Sequence, residues 1–181
     1  MTSTTDTAFD EDAAREVRAR VGTYLEGDHE GRGRRVALAC ARFNGGVTLR
    51  LVQGALARLD EAGVDRADVT LAWAPGAFEL PVLARALIAS SRRVDAVVAL
   101  GAVIRGETGH YDFVAGECAR GLQEVQLATG VPVVFGVLTT ETVDQALERS
   151  APDETNKGAE AVTTALEMAS LLTLIGAERH S

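Results

Sequence analysis

Four stretches of this chain are apolar with almost no alternation: "RVALACA" (35–41), "DVTLAWA" (68–74), "VDAVVALGAV" (94–103) and "VPVVFGVL" (131–138). A strand with one wet face alternates apolar and polar side chains, so a strand that is apolar throughout must be covered on both faces. Between and after these runs lie helical stretches, at about 46–62, 77–90, 111–129, 141–149 and 156–174. Gly63 and Gly130 stand where two of the helices must close before the next strand, a place suited to a left-handed residue. Alternating strand and helix gives βαβ-type units with right-handed crossovers and helices on both sides of a parallel sheet. The sequence therefore predicts an α/β fold: a three-layer α/β/α domain around a mainly four-stranded parallel sheet. No internal repeat interrupts this pattern.

At 181 residues and 46% hydrophobic content, the chain is long and apolar enough for one domain with a real core. A formal net charge of −8 argues against a nucleic-acid partner, since a phosphate backbone requires a basic face. Cys40 sits in an apolar run and Cys118 in a helical stretch. Both are expected to be buried free thiols, and two such cysteines provide neither a disulfide framework nor metal-ligand spacing. The N-terminus lacks the basic and apolar regions of a secretory signal, and "AVVALGAVI" is too short to span a bilayer. A soluble, cytoplasmic protein with no membrane partner is expected.

Residues 1–34 differ from the rest and are predicted to be an appendage, with the compact domain at 35–181. Residues 2–12 are rich in Thr and Asp and expected to be mobile. Val17, Val21, Tyr24 and Leu25 fall at the spacing of one amphipathic helix, and "EGDHEGRGRR" follows as a charged, glycine-rich linker. That stripe lacks the basic face of a membrane-binding helix and is expected to pack on protein, either this chain or a partner subunit.

In an open parallel sheet, ligands bind beyond the carboxyl ends of the strands. The residues there are Arg42-Phe43-Asn44, then Pro75-Gly76-Ala77-Phe78-Glu79, then "VIRGETGHYDFV" from Val103, then Thr139-Thr140-Glu141. His110 is one of three histidines, and Gly106 and Gly109 free the backbone around it to face an anion. A side chain of this kind moves protons near neutral pH. Phe43 either packs under the following helix or stacks on a flat heterocycle. Asn44 reads as a helix N-cap, and Glu79 as an acid favoured by a helix N-terminus or as a partner for ligand hydroxyls. Thr140 is the expected cap of the fourth helical stretch, 141–149. Arg149 ends that stretch, as a cation commonly does. Lys157 lies in the first turn of the last helix behind Asn156, where a cation is disfavoured unless an anion or Glu160 offsets it.

In order and spacing, "RFN", "PGAFELP", "LGAVIRGETGHYDFV", "GVPVVFGVLTTETVDQALER" and "NKGAEA" resemble the 6,7-dimethyl-8-ribityllumazine synthases, from about Arg35 to the C-terminus. The resemblance implies a flavodoxin-like fold and a transferase of riboflavin biosynthesis. Its reaction condenses 5-amino-6-(D-ribitylamino)uracil with 3,4-dihydroxy-2-butanone 4-phosphate, releasing phosphate and water, without cofactor or metal. It implies that Phe43 stacks on the pyrimidine ring, that Asn44, Ala77 and Glu79 hold the ribityl chain, and that Phe78 is among the residues binding the pyrimidine or ribityl chain. The backbone at Val103 and Ile104 would read the uracil edge. Amides at Glu107 and Thr108, with Arg149, would bind phosphate, and His110 would transfer protons. Phe135, Arg149 and Lys157 would come from the neighbouring subunit of a homopentamer, an assembly that in the family can extend to an icosahedral shell. Ala102 replaces a residue that often carries a hydroxyl or thiol, and "SAPDET" departs from the usual loop. Two other readings share the fold: a non-catalytic flavin- or lumazine-binding shell protein, and a riboflavin synthase acting on two lumazines. Neither ligand set carries phosphate, so neither explains Arg149 and Lys157.

Overall fold

The computed structural model describes residues 9–178. Strands β1 (Val36–Ala41), β2 (Val69–Ala74), β3 (Ala96–Ile104) and β4 (Val133–Thr140) form one parallel sheet in the order β2-β1-β3-β4. Helices α2 (Gly45–Glu61) and α6 (Lys157–Glu178) cover one face, with α5 (Val143–Arg149) at their margin. Helices α3 (Leu80–Ala89) and α4 (His110–Thr129) cover the other. This is the three-layer flavodoxin-like architecture expected from the strand runs, and its strand order switches direction between β1 and β3.

Every residue of β1 is buried, as is every residue of β3 except Ile104. Successive side chains go to opposite cores. Leu38, Val98 and Leu100 meet Leu51, Leu59 and Leu166 from α2 and α6, whereas Ala37, Ala39, Val97 and Ala99 meet Leu80 and Leu122 from α3 and α4. Each such leucine contributes roughly 2 kcal/mol by leaving water. Cys40 and Cys118 are both buried free thiols, and burial pushes each up to about 12, so they stay protonated at neutral pH. Among the described residues, α6 alone is long and apolar enough to cross a membrane by length and composition. Its inner face, Ala161, Val162, Ala165, Leu166 and Ala169, belongs to the core it shares with α2.

The α2–α6 contact is close enough to require a glycine. A Cβ on Gly158 would stand 2.0 Å from the Leu51 carbonyl oxygen. Next to it, Asn156 is 2% exposed and fully bonded. Its Oδ1 accepts from the amides of Gly158 (2.9 Å) and Ala159 (3.3 Å), capping α6 as the sequence suggests. Its Nδ2 donates to the carbonyls of Ala151 (2.8 Å) and Arg50 (3.3 Å), tying the loop before α6 to α2.

Three sequence expectations are corrected. The stripe Val17, Val21, Tyr24 and Leu25 does not lie on one helix, because α1 (Glu11–Arg18) ends before three of its members. Since α1 buries no residue, nothing offsets the cost of a longer helix. The chain turns instead, and Tyr24 lies 5.0 Å beneath the Arg18 guanidinium. The cap of α5 is Thr142, whose hydroxyl accepts from the Gln145 amide, while Thr140 ends β4 and donates its own hydroxyl to the Thr142 carbonyl. The last helix does not stop before Gly176 but runs to Glu178, since one glycine costs only about 1 kcal/mol and the inner face of α6 is already anchored. The segment 2–12, expected to be mobile, lies largely outside the described residues; Asp10 caps α1, and Glu11 and Asp12 open it. From residue 27 onward the chain lies along the domain. Gly31 donates to the Ala62 carbonyl (2.9 Å), Arg34 to the Thr173 hydroxyl (2.9 Å), and His29 Nε2 is 3.4 Å from Glu167.

Asn156→Ala removes the cap and leaves buried backbone groups unpaired. It is expected to lower stability by about 2–3 kcal/mol in urea unfolding. Thr155→Ala, which touches only Asp153 at the surface, serves as the control and is expected to change it by about 0.5 kcal/mol or less.

Candidate active site

Strand β3 outruns β1. The last β3 residue paired with β1 is Leu100, whereas pairing with β4 continues to Ile104. The β1-facing backbone of residues 101–104 is therefore free of any strand, at the point where the strand order reverses. Asn44 crosses this gap, donating its Nδ2 to the Ala102 carbonyl at 2.9 Å. It occupies the position before α2 with φ 56°, a left-handed conformation that asparagine tolerates better than most residues. Asn44 does hold the N-cap position of α2, its carbonyl accepting from the Val47 and Thr48 amides, but its side chain makes no capping bond and is committed to this tether instead.

Around the gap stand the other residues expected there. Phe43 is 72% exposed, which excludes packing under α2, and its ring is free to stack. Ala77 is buried and Phe78 is 57% exposed in the short turn Ala77–Glu79. Glu79 precedes α3 without capping it by side chain, and Gly76 leaves room for its carboxylate, since a Cβ there would lie 3.2 Å from Oε2. Val103 is buried and Ile104 half-buried at the end of β3.

Beyond β3, the backbone amides of Gly106, Glu107, Thr108 and Gly109 make no hydrogen bond among the described residues. They lie directly ahead of α4, whose first residue is His110. Free amides at the positive end of a twenty-residue helix are an arrangement suited to an anion. His110 is exposed, and its own amide reaches only the Thr108 hydroxyl, at 3.4 Å. Arg105 opens the loop, held by Asp112 and Glu141, which bind its proton more tightly than in a free arginine.

Phe135, Arg149 and Lys157 gather elsewhere. Together they line a cavity of about 270 Å³ on the outer flank of β4, with Thr139 and Thr164. Phe135 is in register with Ala99, five residues before the Ile104–Thr140 pair, so it lies about 17 Å below the carboxyl edge. Phe135 thus does not reach the edge of its own chain where Phe43 and His110 stand, and the cavity it shares with Arg149 and Lys157 is lined by neither of them. The Arg149 side chain has no hydrogen bond or ion pair among the described residues, whereas Lys157 pairs with Glu160. That pair gives Lys157 a local reason for standing in the first turn of α6.

The fold, the switch point and the free amides narrow the choice of family, and comparison with known proteins decides it. A family model described as 6,7-dimethyl-8-ribityllumazine synthase matches residues 33–173. The chain belongs to that family. A 6,7-dimethyl-8-ribityllumazine synthase from Edwardsiella ictaluri (strain 93-146) is 56% identical over 144 residues, 79% of this chain and 92% of that protein. The resemblance drawn from the five motifs stands, and with it the lumazine synthase fold.

Sequence reasoning left two features of this lumazine synthase site unassigned. Phe113, one turn into α4, is 72% exposed. Arg105, Tyr111, Asp112 and Glu141 form one cluster. The spacing of Arg105 and Asp112 across a glycine loop is the signal that could have revealed it.

The backbone at Asn44 gives a direct test. Asn44→Gly and Asn44→Ala both lose the tether to Ala102, but only alanine is strained at positive φ. Alanine is expected to be the less stable of the two by about 1 kcal/mol. Equal midpoints for the two variants in chemical unfolding would refute the left-handed assignment.

Proposed function

We propose that this chain condenses 5-amino-6-(D-ribitylamino)uracil with 3,4-dihydroxy-2-butanone 4-phosphate to 6,7-dimethyl-8-ribityllumazine, a transferase step of riboflavin biosynthesis. The observation that supports this most directly is the run of unbonded amides at 106–109 immediately ahead of His110, in a chain of this family. A phosphate-bearing substrate needs both parts: a seat for the leaving anion and a group that moves protons beside it.

The 5-amino nitrogen adds to the butanone carbonyl, and water leaves to give an imine. Loss of the C3 proton and of phosphate from C4 then leaves an enol, which takes a proton at C4 to become the C3 carbonyl; the ribityl-bearing nitrogen closes the ring on that carbonyl, and a second water departs. Phe43 stacks on the pyrimidine with Phe78 nearby, while Asn44, Ala77 and Glu79 hold the ribityl chain. The free backbone at Val103 and Ile104 reads the ring edge. Amides of Glu107 and Thr108 hold the phosphate, and His110 exchanges protons with the reacting atoms. No strong nucleophile is needed. Holding two substrates in register supplies much of the rate, so His110 assists and is not indispensable.

The catalytic domain in this reading is 35–181, with 1–34 an appendage, in a soluble cytoplasmic enzyme. We assign Phe135, Arg149 and Lys157 to the site of the neighbouring subunit in a homopentamer. Support comes from their gathering in one cavity around Phe135, below the edge that carries His110, and from the Arg149 guanidinium, which has no partner among the described residues.

With both substrates, the purified protein is expected to form lumazine chromophore and inorganic phosphate in equal amounts. Folded protein that yields neither would end the proposal. Lumazine formed from no phosphate ester, or riboflavin formed from two lumazines, would replace it with another activity.

The shared site has its own test. His110→Ala is expected to lower kcat by roughly 10²-fold. Arg149→Ala should raise KM for the butanone phosphate far more than for the pyrimidine. When the two variants are dissociated and reassembled together, about a quarter of the interfaces in a closed ring combine two intact halves. Activity should then rise toward that share of wild type. A mixture shown by mass to be mixed, yet no better than the mean of its parents, rules out the two-chain site.

A further inference from the structure

The loop that carries the free amides has almost nothing to pack against. Residues 105–110 are all exposed, and a Cβ on Gly106 or Gly109 would meet no atom within 4 Å. Its position comes from Arg105. The Nε–H of Arg105 donates to Glu141, just past β4, at 3.0 Å. The two terminal nitrogens grip Asp112, in the first turn of α4, at 3.1 and 3.4 Å. The guanidinium lies 4.0 Å over the Tyr111 ring, and the Arg105 amide donates to the Thr140 carbonyl at 2.9 Å. One side chain therefore ties the first residue of the loop to the helix at its far end, and both to the neighbouring strand.

We propose that Arg105 is a positioning residue for the reaction: clamped between Asp112 and Glu141 and laid on Tyr111, it sets the spacing between the amides of 106–109 and the His110 imidazole. This rests on the functional reading above. Arg105 is not itself a phosphate ligand. Its planar fork is already turned to carboxylates, and two carboxylates on one guanidinium leave the cluster net negative. What it contributes is geometry. Exposed ion pairs add little to stability, yet small displacements of reacting groups have large effects on rate. The signature is a loss of rate out of proportion to any loss of stability.

Arg105→Ala, Arg105→Lys and Asp112→Asn in the full-length protein test this. Arg105→Ala and Arg105→Lys are both expected to lower kcat by about tenfold or more, because lysine keeps the charge but not the bidentate fork. KM for the pyrimidine should stay within about twofold, and the thermal midpoint should remain near wild type. Hydrogen exchange measured without substrate should quicken at the bonded amides that flank the loop, those of Arg105, His110 and Asp112, and nowhere else. The double variant Arg105→Ala with Asp112→Asn should be no worse than Arg105→Ala alone, since both break the same clamp. Full rescue of kcat by lysine would overturn the proposal in favour of a charge effect. A rise in KM for the butanone phosphate alone, with kcat and exchange unchanged, would overturn it in favour of a phosphate contact. If wild type makes no product, the functional reading falls by itself; unchanged exchange in Arg105→Ala would then separately refute the clamp.

Discussion

Strand β3 has no solvent face. It is flanked by β1 and β4 in the sheet and by helices above and below, and eight of its nine residues are buried. A strand in that position can carry no polar side chain without an internal partner, so it is built from Ala, Val, Leu, Ile and Gly alone. Chemistry is thereby pushed to its carboxyl end, where the chain first reaches water. Because β1 stops short there, the same strand also offers bare backbone on one side. The gap bridged by Asn44 and the loop carrying His110 both follow from the unequal lengths of two neighbouring strands.

How much of this could be read from the sequence depended on where each residue's partner lies. The sheet was legible because an all-apolar run admits few alternatives, and the placement of Phe43, Glu79 and His110 followed from the strand ends. The tether from Asn44 was not legible, since its partner Ala102 is 58 residues away and a backbone carbonyl has no sequence signature. Of the Arg105 clamp only the half made with Asp112 left a local signal, since the other half lies 36 residues on at Glu141. Local signals also misled where two candidates were equivalent. Thr140 and Thr142 are both good caps, and only the end of β4 decides between them. The stripe ahead of the domain had correct helical spacing but no surface to bury against, and periodicity alone does not stabilise a helix.

The charges of the site divide into neutralised and open ones. Arg105 is committed to two carboxylates and Lys157 to Glu160, while Arg149 faces its cavity with no counter-ion among the described residues. On an acidic chain, a cation left open in this way is the group with most to gain from an incoming phosphate. The uncharged amides at 106–109 complement it. In the proposed reaction they would seat the anion without the charge that attracts carboxylates.

Gly158 reaches further than its size suggests. With the Leu51 carbonyl pressed against its Cα, α6 has one longitudinal setting on α2, and a slip of a single residue would drive a side chain into that oxygen. The contact works as a detent. Because Lys157 is the adjacent residue and Asn156 fastens the loop running back to Arg149, the detent also indexes the outer flank of β4 to a helix rooted at the opposite end of the site. Two surfaces of the domain that never touch are thus held to a common datum, like two faces of a machined part cut from one reference edge.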